Sequence, residues 1–118
     1  MRMIIAISSA LLTLVTAEVA WAHAFLDHAE PRVGSSVAAA PRQLSLWFTQ
    51  NLETAFSTVE VQNSAGGRVD VGKPRIAANV MRVGLKSLPP GTYRVLWHAL
   101  SVDTHTTEGS FSFHVGSQ

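Results

Sequence analysis

Hydrophobic and polar residues alternate along much of the chain after residue 40. Leu44, Leu46 and Phe48 alternate with Ser45, Trp47 and Thr49, and the same period of two returns in four later segments: 58–62, 81–85, 93–99 and 111–115. This period places successive side chains on opposite faces, as in a strand buried on one side. Turn-forming residues separate these segments, at 31–36, 65–67, 73–74, 89–91 and 103–109. We therefore predict an all-β fold, a single immunoglobulin-like Greek-key sandwich or barrel of about seven strands.

Aromatic residues are expected to supply much of the core of this sandwich. Those assigned to the core or its edge are Trp47, Phe48, Phe56, Tyr93, Trp97, Phe111 and Phe113. Rings at this spacing are typical of packing rather than of ligand binding. Because Tyr93 follows the Pro89-Pro90-Gly91 turn, it is also predicted to form a tyrosine corner, in which its hydroxyl bonds back to that turn.

The first 22 residues have the features of a secretory signal peptide. Arg2 gives a positive start, the run from Ile4 to Val15 is mostly apolar, and Ala20-Trp21-Ala22 fits the small-x-small cleavage pattern. The apolar run is shorter than the roughly 20 residues that span a bilayer, which argues against a membrane anchor. We therefore predict that residues 1–22 are removed before His23, leaving 23–118 as one exported domain without stable membrane insertion.

Composition narrows the possible functions of this domain. Removal of 22 residues from 118 leaves 96, enough for one small domain. Apolar residues make up 47% of the chain, which excludes a disordered protein, and the net charge of +1 gives no reason to expect a nucleic-acid partner. Cysteine is absent, so disulfides, thiolate metal sites and cysteine nucleophiles are excluded. Any bound metal must be held by nitrogen and oxygen.

Two places in the sequence offer such donors. Cleavage before His23 would give this residue both an α-amino nitrogen and an imidazole, which together can chelate one ion. Asp103 and His105 follow the strand predicted at 93–99, and residues two apart in an extended segment point to the same side. Three nitrogens and one oxygen suit tetragonal Cu(II), and copper heads the divalent affinity series. Alternatively, His23 is simply the first residue of the mature chain, and Asp103 and His105 form an ordinary hydrogen-bonded loop pair.

Several motifs resemble those of the CopC/PcoC family of periplasmic copper-binding proteins. They are His23-Ala24-Phe25-Leu26 with Glu30-Pro31, Leu88-Pro89-Pro90-Gly91-Thr92-Tyr93 with Val95 and Trp97, Ser101-x-Asp103-x-His105, and Gly109-x-Phe111-x-Phe113-x-Val115. The resemblance implies a seven-stranded Greek-key fold with one Cu(II) ion held by His23, Asp103 and His105. It also implies a location in the periplasm and an inner-membrane copper transporter of the CopD type as a partner.

The chain departs from some members of that family. Members with a Cu(I) site carry a methionine-rich loop, whereas the mature chain keeps only Met81, which predicts binding of Cu(II) alone. Gln50 lies where some members have a glutamate. Gln50, Thr104 and Glu108 are the candidates for side chains that support the metal ligands. Three further histidines are expected to face solvent away from the metal: His28, His98 and His114.

Three classes of function remain open. We favour a monomeric, non-enzymatic copper carrier or buffer in copper resistance or homeostasis. A small copper-dependent monooxygenase is the second possibility, but 96 residues leave little room for a substrate-binding face and an aspartate beside the metal would occupy a position needed for oxygen. A metal-free immunoglobulin-like interaction module is the third.

Overall fold

The computed structural model describes residues 24–116 as a sandwich of two four-stranded sheets. One sheet has the strand order β1-β3-β6-β5 and the other has the order β2-β8-β7-β4. The strands are β1 (Leu26–Glu30), β2 (Ser36–Val37), β3 (Gln43–Phe48), β4 (Thr58–Gln62), β5 (Asp70–Ala77), β6 (Val80–Leu85), β7 (Gly91–Leu100) and β8 (Thr106–Val115). The prediction of an all-β sandwich is confirmed, with the two-residue β2 as a short additional strand.

The connections follow from how the strands pair. Only β5–β6 and β7–β8 are neighbours both along the chain and in a sheet, and every other connection between these strands crosses to the opposite sheet. All sheet neighbours are antiparallel except β2 and β8. Such crossings wind the chain around one shared core.

The predicted alternation explains which side chains fill the core. In β7, Tyr93, Val95, Trp97 and Ala99 are buried while Thr92, Arg94 and His98 are exposed. Phe48 of β3 packs edge-on against Trp97, with ring centroids 5.2 Å apart, and so joins the two sheets. The Tyr93 hydroxyl donates a 2.5 Å hydrogen bond to the Pro89 carbonyl, which confirms the tyrosine corner.

Two predicted turns are strands in the structure. Residues 106–109 belong to β8, because β7 and β8 pair without interruption from Gly91↔Val115 to Leu100↔Thr106. Lys73-Pro74 lies inside β5, at a register shift between Val71 and Arg75. β5 is an edge strand, where a proline that cannot donate a ladder hydrogen bond is tolerated.

The assignment of Phe56 to the core was wrong. Phe56 is 66% exposed and ends a short 3₁₀ turn at Thr54–Phe56, because β4 begins only at Thr58. Trp47 is not part of the core either. It is half-buried on the outer face of its sheet, where its ring stacks on His28 with centroids 4.4 Å apart.

The two ends of the sandwich carry different segments. At the end called the upper end below, β3 and β7 finish while β4, β6 and β8 begin, so residues 24–27, 49–57, 78–80 and 100–107 lie there. The lower end carries residues 30–35, 42, 62–69 and 86–90. Both predicted donor positions that the structure describes, Asp103 and His105, are at the upper end.

Candidate metal centre

The loop from Ser101 to His105 joins β7 to β8 and holds its shape through backbone hydrogen bonds. The Ser101 amide donates to the His105 carbonyl at 3.0 Å, and the Thr104 amide donates to the Ser101 carbonyl at 2.9 Å. Thr104 has a φ of 72°, in the left-handed region that a threonine rarely adopts. The loop is therefore a tight turn rather than an extended segment.

This turn brings Asp103 and His105 together. The Asp103 Oδ1 and His105 Nδ1 atoms are 3.4 Å apart, and the two side chains are 41% and 33% exposed. The prediction that the two residues converge is confirmed, although its reasoning was incomplete. The convergence comes from the left-handed turn at Thr104, whereas the prediction invoked the same-side rule for an extended strand.

Ser101 orients the carboxylate of Asp103. Its side chain is fully buried, and its hydroxyl makes a short hydrogen bond to Asp103 Oδ1. This bond, followed by the contacts with His105, holds the pKa of Asp103 below its ordinary value. A carboxylate that stays ionised at neutral pH is ready to accept a cation without first losing a proton. Ser101 is part of the Ser101-x-Asp103-x-His105 motif, but its supporting role was not predicted from the sequence.

The chain enters the sandwich beside this loop. His23 lies outside the described residues, but Ala24, which follows it directly, is fully buried. The Ala24 carbonyl accepts a 2.6 Å hydrogen bond from Thr107 Oγ1, only two residues beyond His105. Phe25 is held in turn by Thr49, through hydrogen bonds of 3.0 Å from its amide and 2.8 Å to its carbonyl.

A third segment, residues 49–53, completes the surroundings of the loop. The Val102 amide donates to the Asn51 carbonyl at 3.1 Å, and the Glu53 amide donates to the Leu100 carbonyl at 2.8 Å. Gln50 is half-buried between Thr49 and Asn51, and therefore lies next to both the entering chain and the loop. Its role in supporting the metal ligands stays a prediction.

The other two predicted supporting residues have different surroundings. The Thr104 hydroxyl donates to the Asp103 carbonyl at 2.6 Å, so it stabilises the turn. Glu108 lies exposed on the outer face of β8, opposite His98, and lines a shallow surface cleft with Glu60 and Arg68. Within residues 24–116, Ser101 supports the Asp103 carboxylate in place of Glu108.

The remaining described histidines lie away from the loop. His28 contacts Asp27, with its Nδ1 2.6 Å from Oδ2, and stacks on Trp47. His114 contacts Thr92 Oγ1 at 3.1 Å near the lower end, and His98 is exposed in β7. No group of three or more potential ligands that could hold a metal is found among the residues that the structure describes. Asp103 and His105 are a pair, and a complete site needs a further ligand.

Comparison with known proteins identifies relatives along most of the chain. The CopC domain family matches residues 26–116. Protein YobA of Escherichia coli strain K12 is 38% identical over 107 residues, which cover 87% of this chain and 86% of that protein. Copper resistance protein C of Pseudomonas syringae pv. tomato is 32% identical over 111 residues, covering 86% of this chain and 87% of the relative. Copper transport protein CutJ of Bacillus subtilis is 36% identical over 100 residues, which are 81% of this chain but only 18% of CutJ.

Solved structures agree with these relationships. CopC from Methylosinus trichosporium OB3b matches with a TM-score of 0.74 and 31% identity, over 79% of this chain and 93% of that one. PcoC from Escherichia coli, described as a methionine-rich copper resistance protein, matches with a TM-score of 0.70 and 33% identity, over 80% and 99% of the two chains. The sandwich, the matched region and the identity to named copper resistance proteins agree, and the chain belongs to the CopC family.

Proposed function

We propose that the mature protein is a periplasmic carrier or buffer that binds one Cu(II) ion and acts in copper resistance or homeostasis. The ligands are the α-amino nitrogen and imidazole of His23, a carboxylate oxygen of Asp103 and the imidazole of His105. This set combines three nitrogens and one oxygen, which suits the tetragonal geometry of Cu(II). The relatives named copper resistance protein C and CopC support copper as the cargo.

The observation that carries this proposal is the position of Ala24. Its carbonyl is bonded to Thr107, two residues after His105, while Asp103 and His105 are already 3.4 Å apart. Consecutive Cα atoms are about 3.8 Å apart. The Cα atom of residue 23 is therefore within that distance of Ala24, which is buried next to the loop. This short distance along the chain favours a position of His23 close to Asp103 and His105.

The available donors favour Cu(II) over Cu(I). Soft thioether and thiolate ligands select Cu(I). The chain has no cysteine, and Met81, its only methionine after residue 22, is fully buried in β6. PcoC, by contrast, is described as methionine rich. The proposed ligands of this chain are all nitrogen and oxygen.

The comparisons weigh against the two alternative functions. The relatives with descriptive names are copper resistance and copper transport proteins, and family membership therefore favours a binding protein over an enzyme. They also weigh against a metal-free interaction module. In addition, an aspartate bound to the proposed copper would occupy a coordination position that must stay open for oxygen activation.

The proposed location and partner rest on the leader and on CutJ. Residues 1–22 have the pattern of a cleaved signal peptide. Among the described residues, no helix is long and apolar enough to cross a membrane. The matching region makes up only 18% of the copper transport protein CutJ, so the domain there is one part of a much larger chain. This supports a separate inner-membrane transporter of the CopD type as the partner of a monomeric carrier.

The decisive experiment moves the amine without changing the fold. A mature protein that begins with one extra glycine before His23 keeps all side chains but turns the His23 amine into a peptide nitrogen. We expect a loss of Cu(II) affinity of at least about a hundredfold, with an unchanged circular dichroism spectrum. Electron paramagnetic resonance of the unmodified protein should show nitrogen ligands to Cu(II). The protein with the extra glycine should show fewer of them.

A matched control adds one glycine at the other end, after Gln118. This variant should bind Cu(II) as the mature protein does. Equal affinity of the two extended proteins would contradict the proposed ligand set, as would mass spectrometry showing that the exported protein begins at another residue.

A further inference from the structure

Exposed apolar side chains gather at the upper end of the sandwich. In the described part of the chain, the large apolar residues that are more than half exposed are Phe25, Val33, Phe56, Val71 and Val102. Phe25, Phe56 and Val102 belong to the upper end, and their segments are linked by hydrogen bonds. Thr49 is hydrogen-bonded to Phe25, and Asn51 is hydrogen-bonded to Val102. Glu53, three residues before Phe56, is hydrogen-bonded to Leu100.

The same end carries only negative charge among its described Lys, Arg, Asp and Glu residues. Asp27, Glu53 and Asp103 are exposed there, and residues 24–27, 49–57, 78–80 and 100–107 contain no lysine or arginine. The cations lie elsewhere, and the lower end holds Arg32, Arg42, Arg68 and Lys86. The net charge of +1 therefore conceals a molecule with one acidic and one basic end.

The apolar group lies at the same end of the sandwich as the described candidate ligands, Asp103 and His105. Val102 is adjacent to Asp103, and Phe25 follows the buried Ala24. Segment 52–57 crosses the upper end from one sheet to the other. The Leu52 amide donates a hydrogen bond to the Ala78 carbonyl, between β5 and β6, and the Glu53 amide donates one to the Leu100 carbonyl of β7 in the other sheet. Phe56 is therefore presented on a crossing segment that is tied to both sheets. Clustered exposed apolar residues with a polar rim mark protein interaction sites.

We infer that the upper end is the docking face for a copper-accepting protein whose entrance is apolar and positively charged. The inference rests on the proposed function, because a carrier must bring its ion close to the acceptor. Phe25, Phe56 and Val102 supply the apolar contact, and Asp27 and Glu53 supply the charge that attracts a basic rim. The acceptor then meets the carrier at the face that contains Asp103 and His105.

Charge selects this occupant over two others. A second copy of the chain docked through the same face would bring two acidic ends together, which is unfavourable. An anionic membrane surface would be repelled by Asp27 and Glu53 and attracted instead by the basic lower end. A protein with a basic entrance is favoured on both counts.

The test measures binding of the copper-loaded mature protein to the CopD-type transporter of the same organism, held in lipid nanodiscs. Phe56→Ser and Glu53→Lys alter the docking face without touching the proposed ligands. We expect each to raise the Kd by about tenfold or more, as at the centre of an interface. Raised salt should weaken the binding of the unaltered protein, because opposite charges meet.

Matched controls place the same changes outside the docking face. Val33→Ser alters an apolar residue that is 56% exposed at the lower end, and Glu30→Lys reverses an exposed charge outside the apolar group. Both should leave the Kd within about twofold of the unaltered value. Equal losses for variants inside and outside the face, or no binding of the unaltered protein, would overturn the inference.

Two further measurements test the other occupants, a second copy of the chain and a membrane surface. The Cu(II) spectra then test the proposed function separately from the docking inference. A dimer in analytical ultracentrifugation that Phe56→Ser dissociates, or cosedimentation with phosphatidylglycerol vesicles that Glu53→Lys changes, would overturn the inference in favour of self-association or a membrane. The Cu(II) resonance spectra of all four variants should match that of the unaltered protein. If the unaltered protein itself bound no Cu(II), the proposed function would fail, whatever its affinity for the transporter.

Discussion

Ser101 determines how Asp103 is presented at the upper end. It is fully buried, and its hydroxyl fixes one carboxylate oxygen while its amide closes the turn onto the His105 carbonyl. Residues that orient a metal ligand affect metal affinity even though they do not touch the metal. This one side chain therefore links the backbone of the turn to the charge and direction of a proposed ligand.

Removing the hydroxyl of Ser101 should weaken copper binding and leave the fold intact. In Ser101→Ala, the pKa of Asp103 should rise towards its ordinary value because the first cause of its depression is lost. We expect Cu(II) affinity to fall by about tenfold, measured by competition with a chelator. Carboxyl resonances in an NMR pH titration should report the pKa of Asp103. Ser110→Ala, on the outer face of β8, is the control, and an unchanged Asp103 titration in Ser101→Ala would contradict this role.

Among the described elements, β7 and β8 hold the loop through the longest strand pairing. Trp97 of β7 lies opposite Gly109 of β8, and its indole occupies the space that a side chain at Gly109 would need. A Cβ at position 109 would come within 2.6 Å of Trp97 Cζ2. The glycine thus allows the indole to cover β8 and reach Phe48 in the other sheet.

A methyl group at position 109 should destabilise the sandwich. We expect Gly109→Ala to lower the free energy of unfolding by about 1–3 kcal/mol, because the Trp97 ring must shift within a packed core. Urea denaturation followed by Trp fluorescence measures this change. Gly84→Ala is a matched control in β6, since its nearest contact would be an ordinary 3.6 Å to the Val71 carbonyl. Equal destabilisation of the two variants would show that the loss is not due to the Trp97 contact.

The elements also show which parts of the fold a single sequence reveals. Alternation identified β3, β4, β6, most of β7 and the second half of β8, because their inner faces are continuously apolar. The first half of β8 was interpreted as a turn because Thr106, Thr107 and Glu108 are polar, and their strand conformation depends on pairing with β7. Phe56 was misplaced for the opposite reason: it is apolar, but it falls in a 3₁₀ turn just before a strand. Such features depend on contacts between distant residues, which periodicity does not record.

For the candidate site, the sequence predicts the residue types and their spacing. Asp103 and His105 were recognised by their chemistry, and the structure brings them together. The left-handed backbone at Thr104 was not predictable, because threonine rarely adopts it and only the paired strands on both sides impose it. The role of Ser101 likewise depends on its complete burial, which a serine does not indicate by itself.

At the scale of the whole molecule, the inventory of metal donors favours one oxidation state of copper at the proposed site. In the proposed mature chain, residues 23–118, the only sulfur atom belongs to Met81, and it is buried between the two sheets. A soft ion therefore has no sulfur ligand at the surface, whereas Cu(II) has the nitrogen and oxygen ligands of the upper end.

Reduction should therefore release the ion. When ascorbate is added to the Cu(II)-loaded protein without oxygen, we expect copper to pass almost completely to a Cu(I) chelator such as bathocuproine. Met81→Leu should release copper to the same extent, because the buried thioether takes no part. Retention of Cu(I) by the unaltered protein, and its loss in Met81→Leu, would contradict this prediction.

The hydrogen bond between Thr107 and the Ala24 carbonyl has a consequence for how such a carrier can work. Because residue 24 is locked into the sandwich, a mature chain that begins at His23, as proposed, would have no tether with which to search for a recipient. The ion can leave only where it is held, and the recipient has to approach the carrier. In the proposed carrier, a terminus of this kind would trade reach for selectivity, since only a recipient shaped to fit the end of the sandwich could collect the metal.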